Sequence, residues 1–171
     1  QAMEAADGTE SRNVAIGTAT LENMNSDGYN YNVAVGYYAG NDIVGGTRNT
    51  LIGSTSGDAL TSGLYNVGVG YGTLSSDTDA TGNVAVGYQA MSASTNPGNY
   101  NVAIGYAALD EAGVTAADCI AIGRHALGGS AVTASDLIAI GDQAGEVATA
   151  AIGLVAIGKE AGTATTDGLY N

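Results

Sequence analysis

The residues able to do chemistry are few in this chain. His125 is the single histidine and Cys119 the single cysteine among 171 residues. No Cys/His pair at liganding spacing and no Gly-x-Ser-x-Gly elbow accompanies them, so neither a zinc site nor a nucleophilic triad can be assembled within one chain. Three copies of His125 around a threefold axis could meet a metal, but an ordinary side chain of the repeat is the simpler reading. Cys119 excludes an intrachain disulfide and reads as a small buried packing residue. The run Asp77-Thr78-Asp79-Ala80-Thr81-Gly82 places oxygens at alternate positions before a glycine, as a calcium loop begins, with Asp77, Asp79 and Thr81 as the candidate ligands. Tyr88 stands where the closing bidentate acid belongs, so a solvated loop is the favoured reading. No catalytic residue, required metal or cofactor is expected, and the chain reads as something other than an enzyme.

Tyrosine carries the better functional hint. Tyr37, Tyr71, Tyr88 and Tyr106 each follow a glycine, while Tyr31, Tyr65, Tyr100 and Tyr170 each precede an asparagine or end beside one. Aromatic rings repeated along a sheet stack on one another and stabilise it, or present faces and hydroxyls to a sugar or protein. Stacking is the first expectation. The set after the glycine is the candidate ligand surface.

These residues sit on a repeat. An apolar three-residue run enters a glycine at Gly17, Gly36, Gly53, Gly70, Gly87, Gly105, Gly123, Gly141 and Gly158, at spacings of 17 to 19 residues. A period this short marks a stack whose coils bury apolar surface against their neighbours, so the chain reads as an all-β parallel solenoid of about nine coils over residues 13–171, after a lead-in at 1–12, continuing or stacking beyond 171. Asparagine heads the first six units (Asn13, Asn32, Asn49, Asn66, Asn83, Asn101), and Cys119, Leu137 and Leu154 follow in that column. An amide ladder or a tied-down turn suits the asparagines, and the switch to leucine predicts a more apolar interior from Cys119 onward.

Within each run, alternate side chains face opposite ways. Because both faces are apolar, Val and Ile are expected to fill the coil while the small column, Ala15, Ala34, Ala85, Ala103, Ala121, Ala139 and Ala156 with Leu51 and Gly68, packs against another chain. The segment after each glycine, such as Tyr106-Ala107-Ala108-Leu109, keeps an alternating pattern and predicts a second short strand per coil. Ser, Thr, Asp, Asn and Gly between units predict loops on one side.

A net charge of −13, with 17 acids against Arg12, Arg48, Arg124 and Lys159, argues against nucleic acid as a partner. The loop acids, among them Asp27, Asp42, Asp58, Asp110 and Asp167, read as solvating charges. No apolar stretch approaches the ~18 residues of a membrane span, so no membrane insertion is expected, and residues 1–10 carry no signal-like pattern.

The unit Asn-Val-Ala-Ile-Gly-Tyr-x-Ala-Leu, repeated in register over residues 13–162, resembles the head repeats of trimeric autotransporter adhesins of the YadA-like type and related repeats of bacteriophage tail fibres. The resemblance implies a left-handed parallel β-roll, three chains side by side as a homotrimer, and an extracellular, cell-surface or virion location. Units of 17 to 19 residues fit the fibre type, with its longer loops, better than the compact adhesin head. The leading expectation is therefore a noncatalytic segment of a trimeric fibre or adhesin that supports attachment to a cell surface. The alternatives are a module that binds a cell-surface glycan or protein through tyrosines and loops, and a subunit of an end-to-end filament.

Overall fold

The computed structural model describes residues 12–25, 29–93, 98–111, 115–129, 132–133, 135–147 and 153–163. Residues 1–11 of the lead-in, Asp27, Asp167 and Tyr170 lie outside that set. The described residues form nine three-residue strands: β1 Val14–Ile16, β2 Val33–Val35, β3 Thr50–Ile52, β4 Val67–Val69, β5 Val84–Val86, β6 Val102–Ile104, β7 Ile120–Ile122, β8 Ile138–Ile140 and β9 Val155–Ile157. Each pairs in parallel with the next to give one sheet in chain order, with equivalent residues in register from Val14↔Val33 to Ile140↔Ile157. This is a β-solenoid, with a sheet ~40 Å long at ~4.8 Å per coil.

The glycine after each strand is fixed by sterics. From Gly17 to Gly158 the column holds φ between +124° and +142°, outside the range of L side chains. From Gly17 to Gly141 an added Cβ would also be driven into the carbonyl of the next glycine in the column. The corner therefore stacks backbone on backbone, with no room between coils.

Asparagine before the strand holds the coils in register. Asn32 Oδ1 accepts the Asn49 amide N–H at 2.9 Å, Asn49 Oδ1 that of Asn66 at 3.0 Å, and the series runs on to Cys119, whose N–H reaches Asn101 Oδ1 at 2.9 Å. The side-chain amides of Asn49 and Asn66 donate to the preceding Oδ1 at 3.1 and 3.0 Å and to the Gly63 and Ala80 carbonyls. Both expectations for this column, ladder and turn tie, hold together. Asn32 to Asn101 are fully buried, which the bonds to each Oδ1 make tolerable, although Asn83 Nδ2 is buried without a partner.

The ladder also settles which strand face is inside. Asn and the middle strand residue are two apart and share a face, so the small column points inward with the buried amides. Ala34, Leu51, Ala85, Ala103, Ala121 and Ala139 are fully buried within the chain, Ala156 nearly so, and Ala15 packs partly buried against the core. The assignment of Ala15, Ala34, Ala85, Ala103, Ala121, Ala139 and Ala156 to packing between chains is thereby corrected: they line the interior, and Val and Ile face out.

A second correction concerns the segment after the glycine, which forms no strand. Alternate residues there have positive φ, for example Tyr38 and Gly40, Thr55 and Gly57, Gln89 and Met91, Ala107 and Leu109. The coils still bond to each other: Tyr38 N–H reaches Thr18 O at 3.0 Å in the preceding coil, and Gly40 N–H reaches Ser56 O at 2.9 Å in the following one. Left-handed residues at every second position replace β geometry while keeping the ladder.

Interior volume is shared among three columns. Leu51 replaces alanine where Gly40 and Gly57 leave space, and its methyls fill the positions their Cβ atoms would take. Beside Gly162 the space is bounded by the Ala156 Cβ at 3.0 Å, with the Leu154 methyls at 3.5 and 3.6 Å. Cys119, Leu137 and Leu154 join one apolar cluster with Leu74, Met91, Leu109 and Leu127, so the interior does turn apolar where the asparagines stop.

Candidate functional site

Three surfaces stand out, and none is a cavity; no pocket occurs among the described residues. The first is the outer sheet face. Its two columns run from Val14 and Ile16 to Val155 and Ile157, and Thr50 is the one polar residue in them. Side chains in the middle strands are half-covered by their neighbours, while Ile16 and Ile157 in the first and last strands are 59% and 66% exposed. A strand facing water on one side alternates apolar with polar. This one is apolar on both sides, and a contiguous apolar face of this kind marks an interaction surface.

The second surface is the tyrosine column after the glycine. Tyr71, Tyr88 and Tyr106 stack, with centroids 5.3 and 5.2 Å apart and rings tilted by 13° and 8°. His125 closes the stack edge-on against Tyr106 at 5.5 Å. Tyr37 is not part of it, because Ser54 intervenes in the column, and packs on Tyr38 at 4.4 Å instead. The rings are about half exposed but their faces are spent on each other. What they offer a ligand is a row of edges and hydroxyls.

The third surface escaped the sequence reading, which named Tyr31, Tyr65, Arg12 and Arg48 but did not place them in one column. Arg12, Tyr31, Arg48 and Tyr65 occupy successive coils at the position before the asparagine, all with φ between 57° and 64°. The Arg48 guanidinium lies 5.5 Å from the Tyr31 centroid and 5.3 Å from that of Tyr65. Arg12 lies 4.1 Å from the Tyr29 centroid and 5.3 Å from that of Tyr31. Writing the sequence out at its own period, one coil above another, would have revealed this alternation.

The candidate calcium loop is built differently from a ligand cage. Asp77 is fully buried, and its Oδ1 accepts the N–H groups of Asp79 and Ala80 at 3.3 and 3.1 Å, which ties the turn. Burial pushes its carboxyl up to about 7, against those two N–H groups, which favour the ionised form. Asp79 is exposed, and Thr81 gives its backbone N–H to Asn99 Oδ1 at 2.9 Å. Among the described residues no three His, Cys, Asp or Glu side chains are placed to hold a metal ion.

Burial also pushes the Cys119 thiol up to about 11, which keeps it protonated and inert at neutral pH. Arg124 is taken by Asp142 at 2.8 Å and Lys159 by Glu160 at 3.2 Å. Comparison with family models, with curated proteins and with solved structures finds no match to this chain.

Proposed function

We propose that this chain is a noncatalytic structural segment of an extracellular or virion fibre or adhesin, in which three copies pack as left-handed β-rolls and hold an attachment site away from its anchor. The observation that carries the reading is the outer Val/Ile face, apolar in every strand except for Thr50. Covering such a face removes apolar area from water at roughly 25 cal/mol per Å². Two columns of β-branched residues on a regular sheet suit a copy of themselves, since the same spacing recurs on both partners. The reading transfers the oligomer contact from the alanine column to the valine and isoleucine columns and leaves the oligomer itself as the resemblance implied it. The coil-to-coil hydrogen bonding along the asparagine column suits a spacer.

A spacer and a binding module respond differently to shortening. Removing residues 67–101 joins Asn66 to Val102 and deletes two coils in register, with Tyr71 and Tyr88 among them. Cells or particles carrying the shortened fibre should still attach if the segment is a spacer. Loss of attachment by a correctly assembled shortened fibre would favour the binding module.

A further inference from the structure

We propose that the column of Arg12, Tyr31, Arg48 and Tyr65, with Tyr29 beside it, is a binding site for the carboxylate of an acidic sugar at the end of a glycan. This goes beyond the spacer reading and does not depend on the oligomeric state.

The argument starts from the cations. Of the four in the chain, Arg124 and Lys159 are neutralised by adjacent carboxylates. Arg12 and Arg48 form no ion pair among the described residues. They pack on phenol rings instead, and each donates one N–H to a tyrosine hydroxyl: Arg12 to Tyr31 at 2.5 Å and Arg48 to Tyr65 at 3.2 Å. Ring stacking fixes each guanidinium plane and leaves its charge intact. An arginine has five N–H donors, so the Nε and second terminal nitrogen of each retain a fork shaped for a carboxylate. The tyrosine hydroxyls accept from arginine and keep their own O–H to donate. Tyr29 and Tyr65, 62% and 53% exposed, flank the two guanidiniums with apolar ring surface on which the C–H groups of a sugar can lie.

Charge selects the ligand further. In the same column the nearest acid is Asp118, four coils beyond Arg48 and so ~19 Å away, more than twice the ~8 Å Debye length at physiological salt. On a chain of net charge −13 the two arginines are therefore a positive island within their own column, although Glu10 stands two residues from Arg12 in the sequence. A single carboxylate feels the island, whereas a long polyanion would also lie across the acidic remainder and be repelled. An acidic peptide would leave the aromatic flanks without an equivalent contact.

Saturation-transfer NMR and calorimetry on the whole chain test this with 3′-sialyllactose, neutral lactose and a heparin oligosaccharide. The site predicts saturable binding of sialyllactose at least about tenfold tighter than lactose, and weakening as salt rises. R48Q and R12Q should each reduce it about tenfold, and R48K, which keeps the charge but loses the fork, should reduce it severalfold, with thermal melting monitored for each variant. Equal binding of the two lactosides, no saturable binding, or binding that survives R12Q and R48Q would overturn the proposal. Tighter binding of heparin than of sialyllactose would also overturn it, in favour of a polyanion surface. The lactoside comparison uses the unaltered chain and stands even if a variant unfolds.

Discussion

Asn49 Oδ1 accepts two N–H groups from Asn66, the backbone amide and the side-chain amide, both at 3.0 Å. Asn66 then passes the pattern on, its own Oδ1 accepting the Asn83 N–H at 3.0 Å while its Nδ2 also donates to Ala80 O at 2.7 Å. N66A would leave the buried Asn83 N–H without this partner, at about 1–3 kcal/mol, while the Ala80 carbonyl keeps the Leu64 N–H at 3.0 Å. N66D should be worse at neutral pH, since a carboxylate cannot donate to Asn49 or Ala80. Hydrogen exchange should show both variants opening first around Asn66 and Asn83, with the outer coils still protected. Uniform exchange along the chain would mean the ladder is not a local tie.

The glycine corner should tolerate change only where no described residue stacks on it. Gly70 bears directly on the carbonyl of Gly87, whereas the nearest atom to a Cβ on Gly158 is that of Ala161 at 4.0 Å. G70A should separate β4 from β5 and lower the denaturant midpoint sharply. G158A should show only the backbone strain of its φ of +124°, on the order of 1–3 kcal/mol. Equal losses at the two positions would show that dihedral strain, not backbone contact, fixes the column.

Asp77 should make stability depend on pH in an unusual direction. Its carboxyl is raised from 3.8 to about 7 by burial, so between those values the folded chain holds a proton that the unfolded chain releases. Its contribution is complete below about pH 4 and is lost as pH rises through about 7. Asp58, raised to about 6 by burial with the Asp42 charge adding to the shift, acts in the same sense. Urea midpoints at pH 5 and pH 8 should therefore differ, with the acidic value higher. D77N keeps an oxygen for the Asp79 and Ala80 amides and removes the titration, so it should narrow the gap; an unchanged gap would remove Asp77 as its source.

Tyr88 lies between Tyr71 and Tyr106 and stacks on both. Y88A should lower stability by roughly 1–3 kcal/mol for the two pairs, and Y88F by much less, because the hydroxyl is not what stacks. A loss with Y88F as large as with Y88A would place the stabilisation in the hydroxyls.

Much of this fold was legible because the repeat is written in residue types. The nine runs read as strands are the strands found, the glycine column is the stacked corner, and the change from Asn101 to Cys119 marks where the interior turns apolar. The strand faces were not read correctly, since an alanine column and a valine/isoleucine column are both apolar and a period of two does not say which is inside. The clue was parity: a buried asparagine ladder carries the residue two positions on inside with it. The alternating left-handed backbone was hidden because Tyr38, Gln89 and Leu109 are ordinary L residues, and only their column-mates Gly40, Gly57, Gly72 and Gly145 hinted at it. The Arg12 to Tyr65 column was invisible along the chain because its members are 17 or 19 residues apart.

The central claim is that the outward Val/Ile face is where three copies meet. Sedimentation equilibrium at micromolar concentration tests it on the unaltered chain and on a V86E/I122E variant, whose changes lie on the outer face and leave the interior columns untouched. The account predicts three chains for the first, and for the variant a folded single chain with the β circular-dichroism spectrum retained. A stable monomer of the unaltered chain, or a trimer that survives both charges, would contradict it.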